Sequence, residues 1–372
     1  MIRVPLSTVC LGQSEKNYAI NAVESGWISS SGEYVESFEN AIAAQCGRKY
    51  AIAVSNGTVA LELVLRAMNI GPGDEVIVPA LTFVAPAAVV RSVGARPVFA
   101  DITQSNWTID PEDVKRVVNS KTQAIIAVDV LGHPCNYDRL FELGIPILED
   151  AAQAHGALYK GKAVGMFGVA STFSFHANKI ITTGEGGCVL TDDKDLAHRM
   201  RIIAGHGMTK ERPYWHPVVG SNFRMTNVTA AIGLGQAERW NELVAERDKV
   251  SLLYDQLLTG VDVTFRPREE WAKASCWLYT VCNKKRERIL NSLRSDGIDA
   301  RAIWPSLCSL PLYQNSVVGD YPIARAISQQ AFWLPTWSAM PRETISFVAN
   351  RLADSCAESV HKDTIYQRTD VD

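Results

Sequence analysis

The sequence predicts an α/β fold, in which helices cover both faces of a mostly parallel sheet and a smaller C-terminal α/β domain follows. Short apolar runs alternate with amphipathic helical patterns through the first half of the chain, and this alternation is typical of parallel sheets with helical crossovers. At 372 residues the chain is also too long for one typical hydrophobic core. We therefore expect a large domain at residues 1–245 and a small domain at residues 246–372.

Local periodicity and turn signals predict the elements of the large domain in order. Residues 33–45 have the apolar spacing of an amphipathic helix, and residues 50–55 form a buried strand. Residues 57–69 return to helical spacing, which ends before Gly71. The same signals predict strands at residues 75–78, 96–100, 124–130 and 146–148, and helices at residues 83–92, 110–118 and 136–143.

A long helical pattern at residues 227–258, rich in Ala, Gln, Glu and Arg, leads into the small domain. The elements expected beyond it are strands near residues 261–266 and 276–282, helices near residues 285–296 and 342–356, and a Pro- and Trp-rich loop around Trp304. The polar tail at residues 362–372 is expected to fray.

Composition argues against several classes of partner. The chain has 47% hydrophobic and 21% charged residues, a net charge of −3 and a pI near 6.2, so we expect no nucleic-acid partner and no membrane-surface partner. The N-terminus lacks an apolar signal region, and no stretch reaches the ~18 apolar residues of a membrane span. The expected location is cytoplasmic. The cysteines form no C-x-x-C pair and the histidines no H-x-x-x-H pair, so we expect free thiols and no metal site.

A lysine and an acid occupy sequence positions that suit the binding of an aldehyde cofactor. Asp150 ends an apolar run, and Lys179 lies in a later turn, just before the Gly-rich residues 183–187. An amine that burial keeps partly unprotonated can condense with an aldehyde. A buried acid can keep a pyridinium nitrogen protonated, which makes the ring an electron sink. The two residues therefore predict a pyridoxal phosphate site in which Lys179 and Asp150 are catalytic.

Further residues would complete a site for a phosphate and a planar ring. Gly57 and Thr58 join a strand end to a helix start, where backbone N–H groups and the helix dipole attract anions. Taken alone, they also fit an ordinary Gly-containing turn. Ser174 offers a hydroxyl to the phosphate, and Gln153 follows the acid by one helical turn. Phe83 follows a strand end, where it can stack on a ring, although an aromatic residue at such a position is more often part of a core.

Six segments of the sequence form one combined pattern. They are SNGT at residues 55–58, DEVIVPALTFV at 74–84, EDAAQA at 149–154, FSFHANK at 173–179, TGEGG at 183–187 and GSNFRMTN at 220–227. In combination they resemble the DegT/DnrJ/EryC1/StrS family of sugar aminotransferases, over about residues 27–236.

The resemblance implies a fold type I pyridoxal phosphate enzyme with a seven-stranded, mostly parallel sheet and a small C-terminal domain. It also implies a homodimer with active sites at the subunit interface. The implied roles are Lys179 as the Schiff-base lysine, Asp150 as the partner of the pyridine nitrogen, Gln153 beside the ring hydroxyl, Phe83 as the stacking aromatic residue, Gly57, Thr58 and Ser174 as phosphate binders, and Asn222 as an asparagine that reaches the phosphate of the other subunit.

Within the family, residues 27–35 and 212–236 are similar to perosamine synthases, which aminate C4 of GDP-4-keto-6-deoxymannose. This similarity implies a nucleotide-linked keto-sugar as acceptor, L-glutamate as donor with 2-oxoglutarate as its product, and a role in amino-sugar synthesis for O-antigen or another polysaccharide. Cys308 departs from the pattern, because the family often has histidine there. The departure leaves UDP and dTDP sugars open beside GDP. His176 varies among relatives, and no role is assigned to it.

Two alternative functions stay open. Some relatives are dehydratases that remove the C3 hydroxyl of a keto-sugar, and these carry histidine at the position of Lys179. A regulatory paralogue that binds the cofactor without catalysis would be favoured by loss of Lys179 or Asp150, and both residues are present.

Overall fold

The computed structural model describes residues 3–209, 212–316 and 319–366, with side chains up to residue 357. Its helices are α1 (Gln13–Glu24), α2 (Glu33–Cys46), α3 (Gly57–Ala67), α4 (Ala85–Ser92), α5 (Pro111–Val117), α6 (Tyr137–Phe141), α7 (Lys194–Ala204), α8 (Asn227–Glu238), α9 (Trp240–Leu257), α10 (Arg286–Ser295), α11 (Pro322–Gln330) and α12 (Arg342–Tyr366). Its strands are β1 (Tyr50–Val54), β2 (Glu75–Pro79), β3 (Arg96–Ala100), β4 (Thr122–Val128), β5 (Ile147–Asp150), β6 (Leu158–Tyr159), β7 (Lys162–Ala163), β8 (Ala170–Ser174), β9 (Gly187–Thr191), β10 (Thr264–Phe265), β11 (Ala272–Lys273), β12 (Tyr279–Cys282), β13 (Arg301–Ala302) and β14 (Ala331–Leu334). Short 3-10 helices lie at Val130–Gly132, Leu307–Ser309 and Pro311–Ser316.

The largest sheet has seven strands in the order β1-β9-β8-β5-β4-β2-β3. β9 runs antiparallel to both of its neighbours, and the other neighbouring pairs are parallel. This arrangement confirms the predicted mostly parallel α/β sheet. The alternation of patterns did not predict β8 and β9, which lie on either side of the Lys179 segment.

The strand directions bring several chain segments to one edge of this sheet. β1, β2, β4, β5 and β8 all end there, because they run the same way. β9 begins there, since Gly187 is opposite both Val54 and Ser174 in the two ladders. Ligands of open α/β sheets bind outside the carboxyl ends of the strands, so this edge is the expected place for a functional site.

The sequence predicts one long helical pattern at residues 227–258, but the structure divides it at Arg239 into α8 and α9. The guanidinium of Arg239 pairs with Glu15 and with Glu242, each at 2.8 Å. α8 also packs very closely on α1, because a Cβ at Gly235 would lie only 2.7 Å from the Glu15 backbone nitrogen. The contacts of Arg239 and Gly235 with Glu15 join distant parts of the chain, so helical periodicity alone does not reveal them.

The C-terminal region contains an antiparallel sheet in the order β10-β12-β14-β13. A hydrophobic cluster joins it to α9, α10 and α12, and this cluster also includes Val4, which bridges Ile298. A third sheet, β11-β6-β7, connects this region to the loop after β5. Because α9 spans residue 245, the division of the chain into two domains at that point stays a prediction.

No helix in the described ranges is long and apolar enough to cross a bilayer. The cytoplasmic location stays a prediction. Over these same residues, no group of three or more His, Cys, Asp or Glu side chains is placed to hold a metal ion. α12 continues to Tyr366 into the tail that was expected to fray, and residues 367–372 lie outside the described residues.

Candidate active site

Most of the predicted site residues come together at the carboxyl edge of the seven-stranded sheet. They are Gly57 and Thr58 directly after β1, Phe83 after β2, Asp150 at the end of β5 with Gln153 after it, and Ser174 at the end of β8 with Lys179 after it. Four different strands therefore supply one site, as the fold class requires.

Lys179 and Asp150 interact electrostatically at the centre of this edge. Burial lowers the pKa of the Lys179 amine to about 7, and the charge of Asp150 opposes that shift. Burial raises the pKa of Asp150 to about 6, whereas a hydrogen bond from the Ala152 N–H (3.1 Å) and the charge of Lys179 oppose it. At neutral pH the lysine is therefore partly neutral and nucleophilic, and the acid is mostly ionised.

The start of α3 and the end of β8 form a narrow cradle. Asn56 caps α3, because its side chain accepts a hydrogen bond from the Val59 N–H (3.0 Å). A Cβ at Gly57 would lie 2.7 Å from the Cβ of Ser174, so glycine allows this close approach. The unpaired N–H groups of the first turn and the positive end of the helix dipole favour an anion here. Thr58, the next residue of that turn, is exposed.

Gly57→Ala is expected to weaken cofactor binding by about 10-fold or more, because overpacking typically costs about 1–3 kcal/mol. Absorbance titration of the apoprotein with pyridoxal phosphate measures the affinity. Gly71→Ala is the matched control, since the nearest atom to its Cβ would be the Val93 carbonyl oxygen at an ordinary 3.7 Å. Equal affinities for the two variants would show that the cradle does not bind the phosphate.

Two buried residues, Gln153 and His155, follow β5 at this edge. The Gln153 side chain accepts a hydrogen bond from the Leu131 N–H through Oε1 (2.8 Å), which fixes its amide. His155 packs against Phe173, Phe175 and Trp240, with ring centroids 5.2, 5.7 and 5.4 Å away. Burial lowers the pKa of His155 to about 3, and the charge of Lys179 adds to the effect. His155 is therefore neutral at physiological pH.

Several aromatic side chains lie beside Lys179 and pack on one another. The helix predicted from residue 83 begins instead at Ala85, so Phe83 lies in a loop, about half exposed, with its ring 6.3 Å from that of Trp304. Trp304 stacks on Trp277 at 5.9 Å, and the Lys179 Nζ lies 3.7 Å from the centroid of the Trp277 ring. The role of Phe83 as a stacking residue stays a prediction.

Asn222 lies at the surface, outside the group of residues around Lys179. Its Oδ1 accepts a hydrogen bond from Arg224 Nε (3.1 Å), and its backbone bridges Gly205. The adjacent Phe223 carbonyl accepts a hydrogen bond from the Ser55 N–H (2.8 Å), so this segment runs beside the end of β1. An exposed asparagine here is available to a second subunit, which is the role that the resemblance implies.

Cys308, which departs from the family pattern, and His176, which varies among relatives, lie in different surroundings. Cys308 is buried, and its sulfur is 2.7 Å from Ser306 Oγ. It therefore packs into the core rather than facing solvent. His176 is exposed, and its ring contacts Asn178 (3.1 Å) and Glu185 (3.6 Å).

The model of the DegT/DnrJ/EryC1/StrS aminotransferase family matches residues 9–353 of the chain. The chain belongs to this family. A GDP-perosamine synthase of Caulobacter vibrioides is 40% identical over 93% of this chain and 96% of its own length. A GDP-perosamine synthase of Escherichia coli O157:H7 is 36% identical over 94% and 97%.

Solved structures of this class of enzyme share the fold. Helicobacter pylori PseC, an aminotransferase involved in the biosynthesis of pseudoaminic acid, superposes with a TM-score of 0.90 at 29% identity, covering 95% of this chain and 99% of its own. A Streptococcus pneumoniae protein in its PMP form gives a TM-score of 0.92 at 28% identity, over 97% and 99%. Membership in the DegT family confirms the expectations of an enzyme, of a sugar aminotransferase, of its fold class and of pyridoxal phosphate as cofactor.

The side chains at the carboxyl edge fit that cofactor. The first turn of α3 at Gly57 offers unpaired N–H groups, and the Ser174 hydroxyl lies beside it, so these two residues would hold the phosphate. Asp150 is a buried carboxylate that would pair with a ring nitrogen, and Lys179 would supply an amine whose pKa of about 7 leaves it reactive. The role of each individual residue in this DegT-family site remains a prediction.

Two residues near Lys179 were not predicted from the sequence. Trp277 comes from the C-terminal half of the chain, and no local pattern relates it to the lysine segment. His155 directly follows the EDAAQA motif, but a histidine in an apolar stretch is equally consistent with a core residue. For both residues, proximity to Lys179 becomes visible only in the packing of the folded chain.

Proposed function

We propose that the protein transfers the amino group of L-glutamate to C4 of a nucleotide-linked 4-keto-6-deoxy sugar, with GDP-4-keto-6-deoxymannose as the favoured acceptor. The observation that carries the proposal is the 40% identity to a GDP-perosamine synthase over nearly the whole of both chains. The presence of both Lys179 and Asp150 at the edge of the sheet supports it, because an amine and a ring-nitrogen partner are the groups that transamination needs.

Some residues of the site would bind the cofactor, and others would transfer protons or stabilise charge. Pyridoxal phosphate, once bound, supplies an aldehyde that condenses with amines and a ring that withdraws electrons. Above pH 7 most of the Lys179 amine is neutral, so Nζ can take a proton from the amino acid and later return it. Asp150 is ionised above about pH 6 and can stabilise a protonated ring nitrogen. The start of α3 and Ser174 would hold the phosphate and fix the position of the other groups.

We further propose that the active form is a homodimer with shared sites. The loop after α7 exposes Tyr214 and Val219 at 90% and 84%, and Trp27, between α1 and α2, is 61% exposed. Large apolar side chains exposed to this extent are typical of protein interfaces. Asn222 lies just beyond the same loop, so a second subunit that covers the loop would bring a partner's phosphate close to Asn222.

Mixing two inactive variants tests the shared site. Asn222→Ala and Lys179→Ala chains should each be impaired, whereas dimers formed from one of each should contain one site with an intact Lys179 and an intact Asn222. Random pairing would restore about a quarter of the wild-type sites. Activity no higher than the mean of the two parents after co-refolding would place Asn222 in its own subunit's site or in none. A monomeric mass for the fully active wild-type protein, from light scattering, would overturn the dimer.

A product assay over a substrate panel tests the proposed reaction. GDP-, UDP- and dTDP-linked 4-keto-6-deoxy sugars are each incubated with L-[15N]glutamate, and the products are analysed by mass spectrometry and NMR. We expect 15N at C4 of the sugar and the highest kcat/KM with the GDP sugar, because a site that hydrogen-bonds particular groups rejects analogues that lack them. Transfer only to small 2-oxo acids would contradict the sugar assignment. Loss of the C3 hydroxyl without nitrogen incorporation would identify the dehydratase alternative instead.

A further inference from the structure

The amine of Lys179 lies on the face of an indole ring. Its Nζ is 3.7 Å from the centroid of the Trp277 ring, well within the ~6 Å at which a cation is attracted to an aromatic face. Trp277 itself is buried. Such contacts are stronger where water is excluded than at exposed sites. The contact therefore stabilises the charged form of the lysine, in opposition to burial.

The indole is fixed in this position from several sides. Its Nε1 donates a hydrogen bond to the carbonyl of Asn178 (3.0 Å), the residue next to the lysine. The main-chain carbonyl of Trp277 accepts a hydrogen bond from the buried Arg247. Its ring packs on Trp304 and on Trp333, at 5.9 and 5.7 Å. The ring can therefore serve as a fixed surface for the end of a flexible side chain.

The charged and titratable groups that act on Lys179 Nζ are few among the described residues. Asp150, at the end of β5, favours the ammonium form. His155, in the loop after β5, has a pKa lowered to about 3, so it is neutral and contributes no charge. Asp150 is also the residue expected to pair with the ring nitrogen, so it cannot be devoted to Lys179 throughout the reaction. Trp277 is in direct contact with Nζ and also favours its charged form.

We propose that Trp277 is a positioning residue that holds the ammonium of Lys179 on its indole face while the lysine is not bonded to the cofactor. The proposal rests on the proposed function, in which Nζ takes a proton from the amino acid and must hold it before returning it. A lysine ammonium without such a surface would be free to turn toward solvent. The indole keeps the proton-carrying atom beside the reacting atoms and retains the proton long enough for its return.

The pKa of Lys179 in the apoprotein tests this role without any substrate. Lysines are converted to 13C-dimethyl-lysines, the signal of Lys179 is identified by its absence in Lys179→Ala, and it is titrated by NMR. We expect Trp277→Leu to lower the pKa of Lys179 by about one unit, since about 1.4 kcal/mol corresponds to one pH unit. Trp277→Phe, which keeps an aromatic face, should lower the pKa less. The matched control is Trp333→Leu, which removes a tryptophan of the same cluster that packs on Trp277, and it should leave the pKa unchanged.

A pKa that is unchanged or raised in Trp277→Leu would overturn the proposal, as would an equal shift in Trp333→Leu. If Trp277→Leu fails to fold by near-ultraviolet circular dichroism, the comparison of Trp277→Phe with the wild type decides, because benzene attracts a cation less than indole does. In the glutamate half-reaction of the holoenzyme, Trp277→Leu should reduce kcat by about 10-fold with little change in KM, and Trp277→Phe should recover most of the loss. The titration remains informative if the sugar assignment fails, so the two failures are distinguishable.

Discussion

Lys179→Ala is expected to reduce turnover by about 10³-fold or more, because proton transfer by a positioned side chain alone contributes about 10²–10⁴-fold. The variant also loses the amine that bonds to the cofactor aldehyde. The phosphate cradle at Gly57 and Ser174 is untouched, so the variant should still bind pyridoxal phosphate, with the absorbance of a free aldehyde rather than of an imine.

Steady-state assays with L-glutamate and the keto-sugar measure the loss, and the absorbance spectrum of the bound cofactor reports the missing bond. Lys194→Ala serves as the control, since Lys194 is an exposed lysine at the start of α7. Wild-type turnover in Lys179→Ala, or an unchanged cofactor spectrum, would remove Lys179 from the chemistry. An equal loss in Lys194→Ala would point to a general effect of the substitutions on the protein.

Asp150→Asn should lower kcat by about 10²-fold, because an amide of the same shape cannot stabilise a positively charged ring nitrogen. A charge-assisted hydrogen bond is worth up to about 3 kcal/mol, and each 1.36 kcal/mol in the barrier changes a rate tenfold. KM should change less than kcat, since the carboxylate acts on developing charge rather than on substrate binding. Because its pKa is about 6, the wild-type enzyme should also lose activity as Asp150 is protonated below that pH.

The kinetic constants are measured from pH 5 to 8 for the wild type, for Asp150→Asn and for a control, Asp138→Asn. Asp138 is an exposed acid that pairs with Lys160 (2.6 Å), away from the site. Protonation of Lys179, whose pKa is about 7, lowers activity over the same range in every variant. We therefore expect the loss below pH 6 to be steeper in the wild type and Asp138→Asn, which keep Asp150, than in Asp150→Asn. An unchanged kcat in Asp150→Asn would mean that Asp150 is structural and that another group supports the ring.

The residues that local rules could identify are those at strand ends. Asp150 ends β5, Gly57 begins α3 directly after β1, and Phe83 follows β2, so alternating patterns and turn residues were enough to predict that they share one edge. The same rules did not predict β8 and β9, because their short apolar runs flank a segment dominated by motif residues. They also missed the break at Arg239, where the guanidinium pairs with Glu15 of the distant helix α1.

The remaining contacts of the site depend on how distant segments pack. Trp277 reaches Lys179 because the strand that follows it, β12, belongs to the C-terminal sheet, and this sheet packs so that Trp277 contacts the loop after β8. Cys308, which stands where the family often has histidine, packs into the core beside Ser306. The hydrophobic pattern of a helix or strand predicts which of its faces is buried. The positions of Trp277 and Cys308 depend instead on which distant segment packs against that face.

Chemical mapping of the cofactor attachment point tests the central claim most directly. The holoenzyme is reduced with borohydride, digested and sequenced by mass spectrometry, so that an amine bonded to the cofactor carries a stable phosphopyridoxyl group. We expect this modification on Lys179, and its loss when excess L-glutamate is added before the reductant. A modification on a different lysine, or none in an enzyme that still transfers nitrogen, would contradict the site described above.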